Sequence, residues 1–154
     1  MFKILFLFFA LSIGNFAFPA QSEQHPLARP FQVELAAGFW PNPFTDEFSL
    51  AIHNVDATLE IPGCPGFIGH LPDYRVELTG SAGQIQFSIL ADQDTALFIE
   101  APDGSFRCVW DAYGTANPSV LVTRPQAGSW TIWIALPQPG ILKNGQFSVT
   151  EFGR

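Results

Sequence analysis

Apolar and polar residues alternate along much of this chain. Val76 and Leu78 share one side of a segment whose other side carries Arg75 and Glu77. Ile85, Phe87 and Ile89 oppose Gln84, Gln86 and Ser88, and Trp130, Ile132 and Ile134 oppose Thr131 and Trp133. Side chains of an extended chain point alternately to opposite faces, so a period of two describes strands with one buried face. Runs rich in β-branched and aromatic residues predict strands at 31–35, 47–53, 57–61, 74–78, 84–90, 95–100, 106–110, 119–123, 130–135 and 146–152. No segment carries a helical period. Asp103-Gly104 and Asn144-Gly145 tolerate positive φ and each stands between two predicted strands. Asn117-Pro118 and Gln126-Ala127-Gly128 mark further corners, and Gly80-Ser81-Ala82-Gly83 reads as a hairpin turn. Many short strands at near-regular spacing predict an all-β fold, an antiparallel β-sandwich of jelly-roll-like form, with 31–154 as its single domain.

The beginning of the chain breaks this pattern. Lys3 precedes an apolar stretch over 4–18, and Phe18-Pro19-Ala20 offers a small residue before polar Gln21 and Ser22. That order predicts a secretory signal peptide at 1–20. A membrane anchor is the competing reading, but the stretch is shorter than the roughly 20 apolar residues a spanning helix needs. Residues 21–30, polar and holding Pro26 and Pro30, read as a flexible N-terminal arm. The product expected after cleavage, of about 134 residues, is periplasmic or extracellular, with no stable membrane insertion and enough length to bury a core.

Composition narrows the partners. The formal charge is −7, and one unit more negative without Lys3. No basic cluster exists, which argues against nucleic acid and anionic membrane surfaces. Cys64 and Cys108 are the two cysteines. In an exported chain they are expected to pair, closing a long loop whose cross-link stabilises by about 4 kcal/mol. The alternative, a pair of metal-binding thiolates, lacks a histidine at zinc-finger spacing.

Several short motifs follow one another in a recognisable order. They are an Asp-x-Asp-Thr-x-Leu strand start at 92–97, a Pro-Asp-Gly turn at 102–104, and an aromatic-x-Cys strand at 106–108. A Gly-x-x-Asn-Pro loop at 114–118, an Arg-Pro-Gln-x-Gly turn at 124–128 and an aromatic-x-Ile-Trp-Ile strand at 130–134 complete the series. Upstream lie Gly-Phe-x-Pro-x-Pro at 38–43 and Cys-x-Gly-Phe-Ile at 64–68. The pattern resembles the bacterial pre-peptidase C-terminal domain and its stand-alone secreted relatives, over most of the predicted mature chain. The resemblance implies a β-sandwich without catalysis of its own, linked in proteases with secretion, substrate contact or latency. It also implies calcium on loop acids in some relatives, and a secreted protease as one expected partner. Where relatives often carry Cys-Asp-Asp-Asp, this chain reads Cys108-Val109-Trp110-Asp111, with one acid of the three.

Three candidate chemistries follow. Asp92, Asp94 and Asp111 are the candidate calcium ligands, since calcium takes six to eight oxygens, usually with several carboxylates on flexible loops. Asp92 and Asp94 share a face if the backbone there is extended. In the competing reading they cap a turn with their own backbone, and Asp103 is a hairpin-turn residue. Trp110, Asp111, Tyr113 and Asn117 form a candidate surface for a peptide, glycan or protein ligand, because exposed aromatics beside acids stack on sugars or grip peptides. Packing is the alternative for Trp110 and Tyr113. Trp133, facing away from Trp130, is expected to lie under the arm or a neighbouring strand.

Catalytic parts are missing from the sequence. There is no Gly-x-Ser-x-Gly elbow. His25 falls in the arm, His53 is expected at the surface and His70 in a loop. The chain therefore reads as a non-enzymatic binding or accessory module. The alternatives are an envelope structural or assembly protein, and a hydrolase working through Asp92, Asp94 or His70.

Overall fold

The computed structural model describes residues 30–49, 51–110 and 117–153. The predicted leader at 1–20 and all but the last residue of the arm lie outside them. The strands are β1 (Phe31–Ala36), β2 (Phe44–Phe48), β3 (Ala51–His53) and β4 (Val55–Asp56), followed by the helical turn α1 (Ala57–Glu60). Then come β5 (Phe67–Ile68), β6 (Tyr74–Thr79), β7 (Gln84–Ala91), β8 (Ala96–Glu100) and β9 (Phe106–Val109). The chain continues with β10 (Ser119–Thr123), β11 (Gly128–Ala135), β12 (Gly140–Leu142) and β13 (Gly145–Phe152).

These strands form an all-β fold. A five-stranded sheet runs β1-β6-β11-β8-β9 and a four-stranded sheet runs β10-β7-β13-β2. Two ribbons, β12-β3 and β4-β5, are added to them. Among the described residues every strand pair is antiparallel except β1 with β6, which is parallel from Phe31 opposite Tyr74 onward. The antiparallel expectation is corrected at that edge. The return from β1 to β6 is long enough to hold four further strands, so a parallel pairing meets no limit of loop length.

The predicted faces are buried as the alternation requires. Val76, Leu78, Ile85, Phe87, Ile89, Trp130, Ile132 and Ile134 belong to one continuous core with Phe147 and Val149. Aromatic rings join the two large sheets across it. Tyr74 of β6 stacks on Phe147 of β13 at 4.2 Å, and Phe87 of β7 meets Trp130 of β11 at 5.5 Å. The outer face of the five-stranded sheet carries a second cluster, where Phe98 and Ala135 meet Ala57, Ile61, Cys64 and Ile68. The Cys64–Cys108 disulfide ties this covering segment to β9, as the cysteine count predicts. Trp133 is half-buried against the same cluster and tilts on Phe106 at 6.2 Å.

Three local expectations are corrected. The predicted strand at 57–61 is helical. Its apolar residues Ala57, Leu59 and Ile61 fit a period of two, but Ala57 and Ile61 are also one helical turn apart. They are buried together while Leu59 is 80% exposed. Asp56 caps the turn, its Oδ1 accepting from the Thr58 amide at 3.0 Å. The predicted strand at 47–53 is two strands in different sheets, β2 on β13 and β3 on β12. Finally, Gly80-Ser81-Ala82-Gly83 is no hairpin: it carries the chain from the five-stranded sheet to the four-stranded one. Gly83 approaches the backbone at Gly153 so closely that a Cβ has no room there.

Candidate functional site

The acids at 92 and 94 stand at one end of the four-stranded sheet. β7 stops at Ala91, the chain bends at Asp92–Gln93, and β8 starts at Ala96. This bend is held from two sides. Asn117 Oδ1 accepts from the Ala91 amide at 2.9 Å, and Gln93 Oε1 accepts from the Lys143 amide at 3.4 Å. The Ile89 amide donates to the Pro118 carbonyl at 3.0 Å, which continues the tie into β10. On the far side of the bend, Val109 pairs with Leu97. Both described ends of the 110–117 connection therefore flank the bend that carries Asp92 and Asp94.

An open cleft of about 730 Å³ lies at this end, lined by Glu47, Ser49, Leu90, Asp92, Asn144 and Gln146 among others. Its lining mixes two carboxylates, amides and the exposed side chain of Leu90. Such a mixture suits a polar ligand with an apolar patch. Gly145 contributes by what it lacks: a Cβ there would collide with the Phe48 ring and lie 2.7 Å from the Leu90 carbonyl oxygen. Its φ is not positive, so space rather than turn conformation requires the glycine.

The predicted site residues have different fates. Asp92 and Asp94 are both exposed, and the bend between them departs from the extended backbone that would align them. Asp111 and Tyr113 lie outside the described residues. Asn117 is half-buried and occupied in holding Ala91. Trp110 packs: its ring meets Phe98 edge-on at 6.3 Å and lies against Gly66, where a Cβ would stand 2.8 Å from Trp110 Cζ2. Among the described residues no group of three or more His, Cys, Asp or Glu side chains is placed to hold a metal ion.

Asp103 sits in the β8–β9 turn. Its Oδ1 accepts from the Ser105 amide at 3.0 Å, and Gly104 has φ +79°. Hydrogen bonding by Ser105 holds the Asp103 carboxyl below the usual carboxylate range. His25 lies outside the described residues and His70 is exposed. The surface expectation for His53 is corrected. It is fully buried, with Nε2 3.6 Å from Asp73 Oδ1, because β3 pairs with β12 and turns this side chain inward.

Two features of interest were not singled out from sequence, though signals for both exist. Ile89 and Leu90 are adjacent apolar residues in an alternating strand, so one of them must face outward. Glu151 is in phase with buried Phe147 and Val149 on β13, which places an acid on an apolar face.

No protein-family model matches the chain, and no curated protein matches it. Among solved structures, a weak likeness exists to the pre-peptidase C-terminal domain of collagenase from Bacillus anthracis. It has a TM-score of 0.43 and 9% identity, covering 80% of this chain and 98% of that one.

Proposed function

We propose that this protein is an exported, non-enzymatic binding or accessory module that engages its ligand at the end bearing residues 90–95, Asn117 and 143–146. The observation that carries the reading is the Asn117–Ala91 hydrogen bond, which gathers the acidic bend and the end of the 110–117 connection beside an open cleft. The reading includes a jelly-roll-like β-sandwich as the scaffold and a signal peptide at 1–20. The disulfide is chemistry of an oxidising compartment, and among the described residues no helix is long and apolar enough to cross a membrane. The mechanism is rigid presentation. Strands and the cross-link hold the loops before the ligand arrives, so less ordering entropy is lost on binding.

The ligand class is a peptide, glycan or protein, and a secreted protease is one partner the motif resemblance implies. Calcium would require Asp111 and backbone oxygens beside Asp92 and Asp94. The deciding experiment is a screen of glycan and peptide arrays with the intact exported chain, with calcium and with chelator, repeated on Asp92→Asn/Asp94→Asn. Binding that weakens in the double variant supports the reading. Binding that is indifferent to it and to Leu90→Lys moves the site elsewhere. A fall in Tm on adding chelator supports the metal, and an unchanged Tm removes it.

An assembly role has one observation in its favour. Ile52 and Ile141 stand directly opposite each other on the β3–β12 ribbon, and both are more than half exposed. An apolar pair at an edge suits a second protein surface. Concentration-dependent light scattering that disappears in Ile141→Lys would favour this role.

A further inference from the structure

At the opposite end of β13 lies a second hollow. The six residue steps of extended chain from Gly145 to Glu151 put about 20 Å between it and the cleft described above. Its volume is about 370 Å³, within the usual range for small-ligand sites, and Gly38, Phe39, Trp40, Asn42, Glu151 and Gly153 line it.

Two of these residues are anomalous. Glu151 is 9% exposed, and among the described residues its Oε1 has no hydrogen-bond partner. Its Oε2 accepts from the Gly38 amide, and no Lys, Arg or His among the described residues forms an ion pair with it. A buried carboxylate without a cation is costly, and such groups gather at functional sites. Trp40 is the reverse case, an indole 90% exposed.

The segment that carries Trp40 is firmly anchored. The Ala37 amide donates to the Thr79 carbonyl at 2.8 Å. Asn42 pairs with the Glu151 backbone in both directions, Nδ2 donating to its carbonyl at 2.9 Å and Oδ1 accepting from its amide at 3.0 Å. The Asn42 side chain thus continues the pairing of β2 along β13, beyond Phe44 opposite Val149. A large aromatic ring is held out in water on an anchored loop, over a hollow walled by an acid that has no cation beside it among the described residues.

We propose that this hollow binds an organic cation, an alkylammonium or guanidinium group, between the Trp40 ring and the Glu151 carboxylate. A cation over an indole face is attracted by the ring quadrupole, and the attraction grows as water is excluded. The carboxylate supplies the charge that the cation neutralises. A neutral isostere gains neither, and an anion meets Glu151 unfavourably. The cation comes either from a Lys or Arg side chain of a peptide or from a free quaternary ammonium compound.

The experiment is an NMR titration of the full exported chain, following the Trp40 indole N–H signal identified by its loss in Trp40→Leu. The probes are lysine amide within a neutral tripeptide, the same tripeptide with norleucine, and tetramethylammonium. The expected result is a saturable shift with the lysine peptide or tetramethylammonium and none with norleucine. Affinity should fall by about tenfold or more in Trp40→Leu and in Glu151→Gln. Trp40 is exposed, so its replacement spares the fold even where Glu151→Gln does not. A lysine-only response assigns the site to peptides, and a tetramethylammonium response extends it to free ammonium ligands. Equal binding of norleucine, no saturable shift, or unchanged affinity in folded Trp40→Leu, followed then by other signals, overturns the proposal.

Discussion

Asp73 faces His53 inside the fold, Oδ1 to Nε2 at 3.6 Å, while its Oδ2 accepts from the Ile134 amide at 2.8 Å. One carboxylate thereby joins the β3–β12 ribbon to β11. Its own backbone extends the link, accepting from the Phe31 amide and donating to the Ile132 carbonyl. Asp73→Ala strips the Ile134 amide of its partner in a buried place and should cost about 2–3 kcal/mol. Asp73→Asn keeps a carbonyl oxygen for that amide and should cost less. Urea unfolding of both variants checks the order. Equal losses would mean that the charge, not the hydrogen bond, matters.

Gly145 and Gly104 are both glycines after a polar turn residue, yet substitution should read differently. At Gly145 an added Cβ meets the Phe48 ring and the Leu90 carbonyl, so Gly145→Ala should destabilise by about 2–3 kcal/mol through overpacking. At Gly104 nothing among the described residues lies within 4 Å of an added Cβ, and the φ of +79° opposes a side chain. Gly104→Ala should cost about 1 kcal/mol, and Gly104→Asn less. Thermal melts of the three variants test the distinction between space and backbone.

Removing the disulfide should loosen the outer cluster first. The cross-link spans 44 residues of sequence, and the chain-entropy model gives about 4 kcal/mol for such a loop. In Cys64→Ser/Cys108→Ser, hydrogen exchange should rise at Ala57, Ile61 and Ile68 before it rises at Phe87 or Ile132. Uniform acceleration would show that the covering segment and the main core unfold as one unit.

Asp103 makes stability depend on acid. Its folded pKa is lowered by the Ser105 hydrogen bond, so its contribution is present above the usual carboxylate range and is lost as pH falls through the folded value. The Tm difference between the parent and Asp103→Ala should therefore be larger at pH 6 than at pH 2.5. Asp56 at the start of α1 should behave alike, since Thr58 lowers it in the same way. A pH-independent difference would assign both effects to chain conformation.

What was legible in the sequence is what neighbouring residues decide. Alternation in β6, β7 and β11 names their buried faces, because the strand period is a property of each chain segment alone. Asp103-Gly104 announces its hairpin for the same reason, and two cysteines in a chain read as exported announce their bond. The helical turn at Ala57–Glu60 escaped because periods of two and of four coincide over five residues. His53 escaped because its burial depends on which strand β3 meets, and that partner, Gly140 of β12, lies far beyond the reach of any local pattern. The candidate sites divide likewise. Asp92, Asp94 and Trp110 were conspicuous by type, but only the fold set Trp110 against Phe98 and Gly66, tied Asn117 to Ala91, and enclosed Glu151 beside an exposed Trp40. Residue chemistry and period are written locally. Pairing partners, and therefore burial and the meeting of side chains, depend on contacts between distant segments, which the tertiary structure alone resolves.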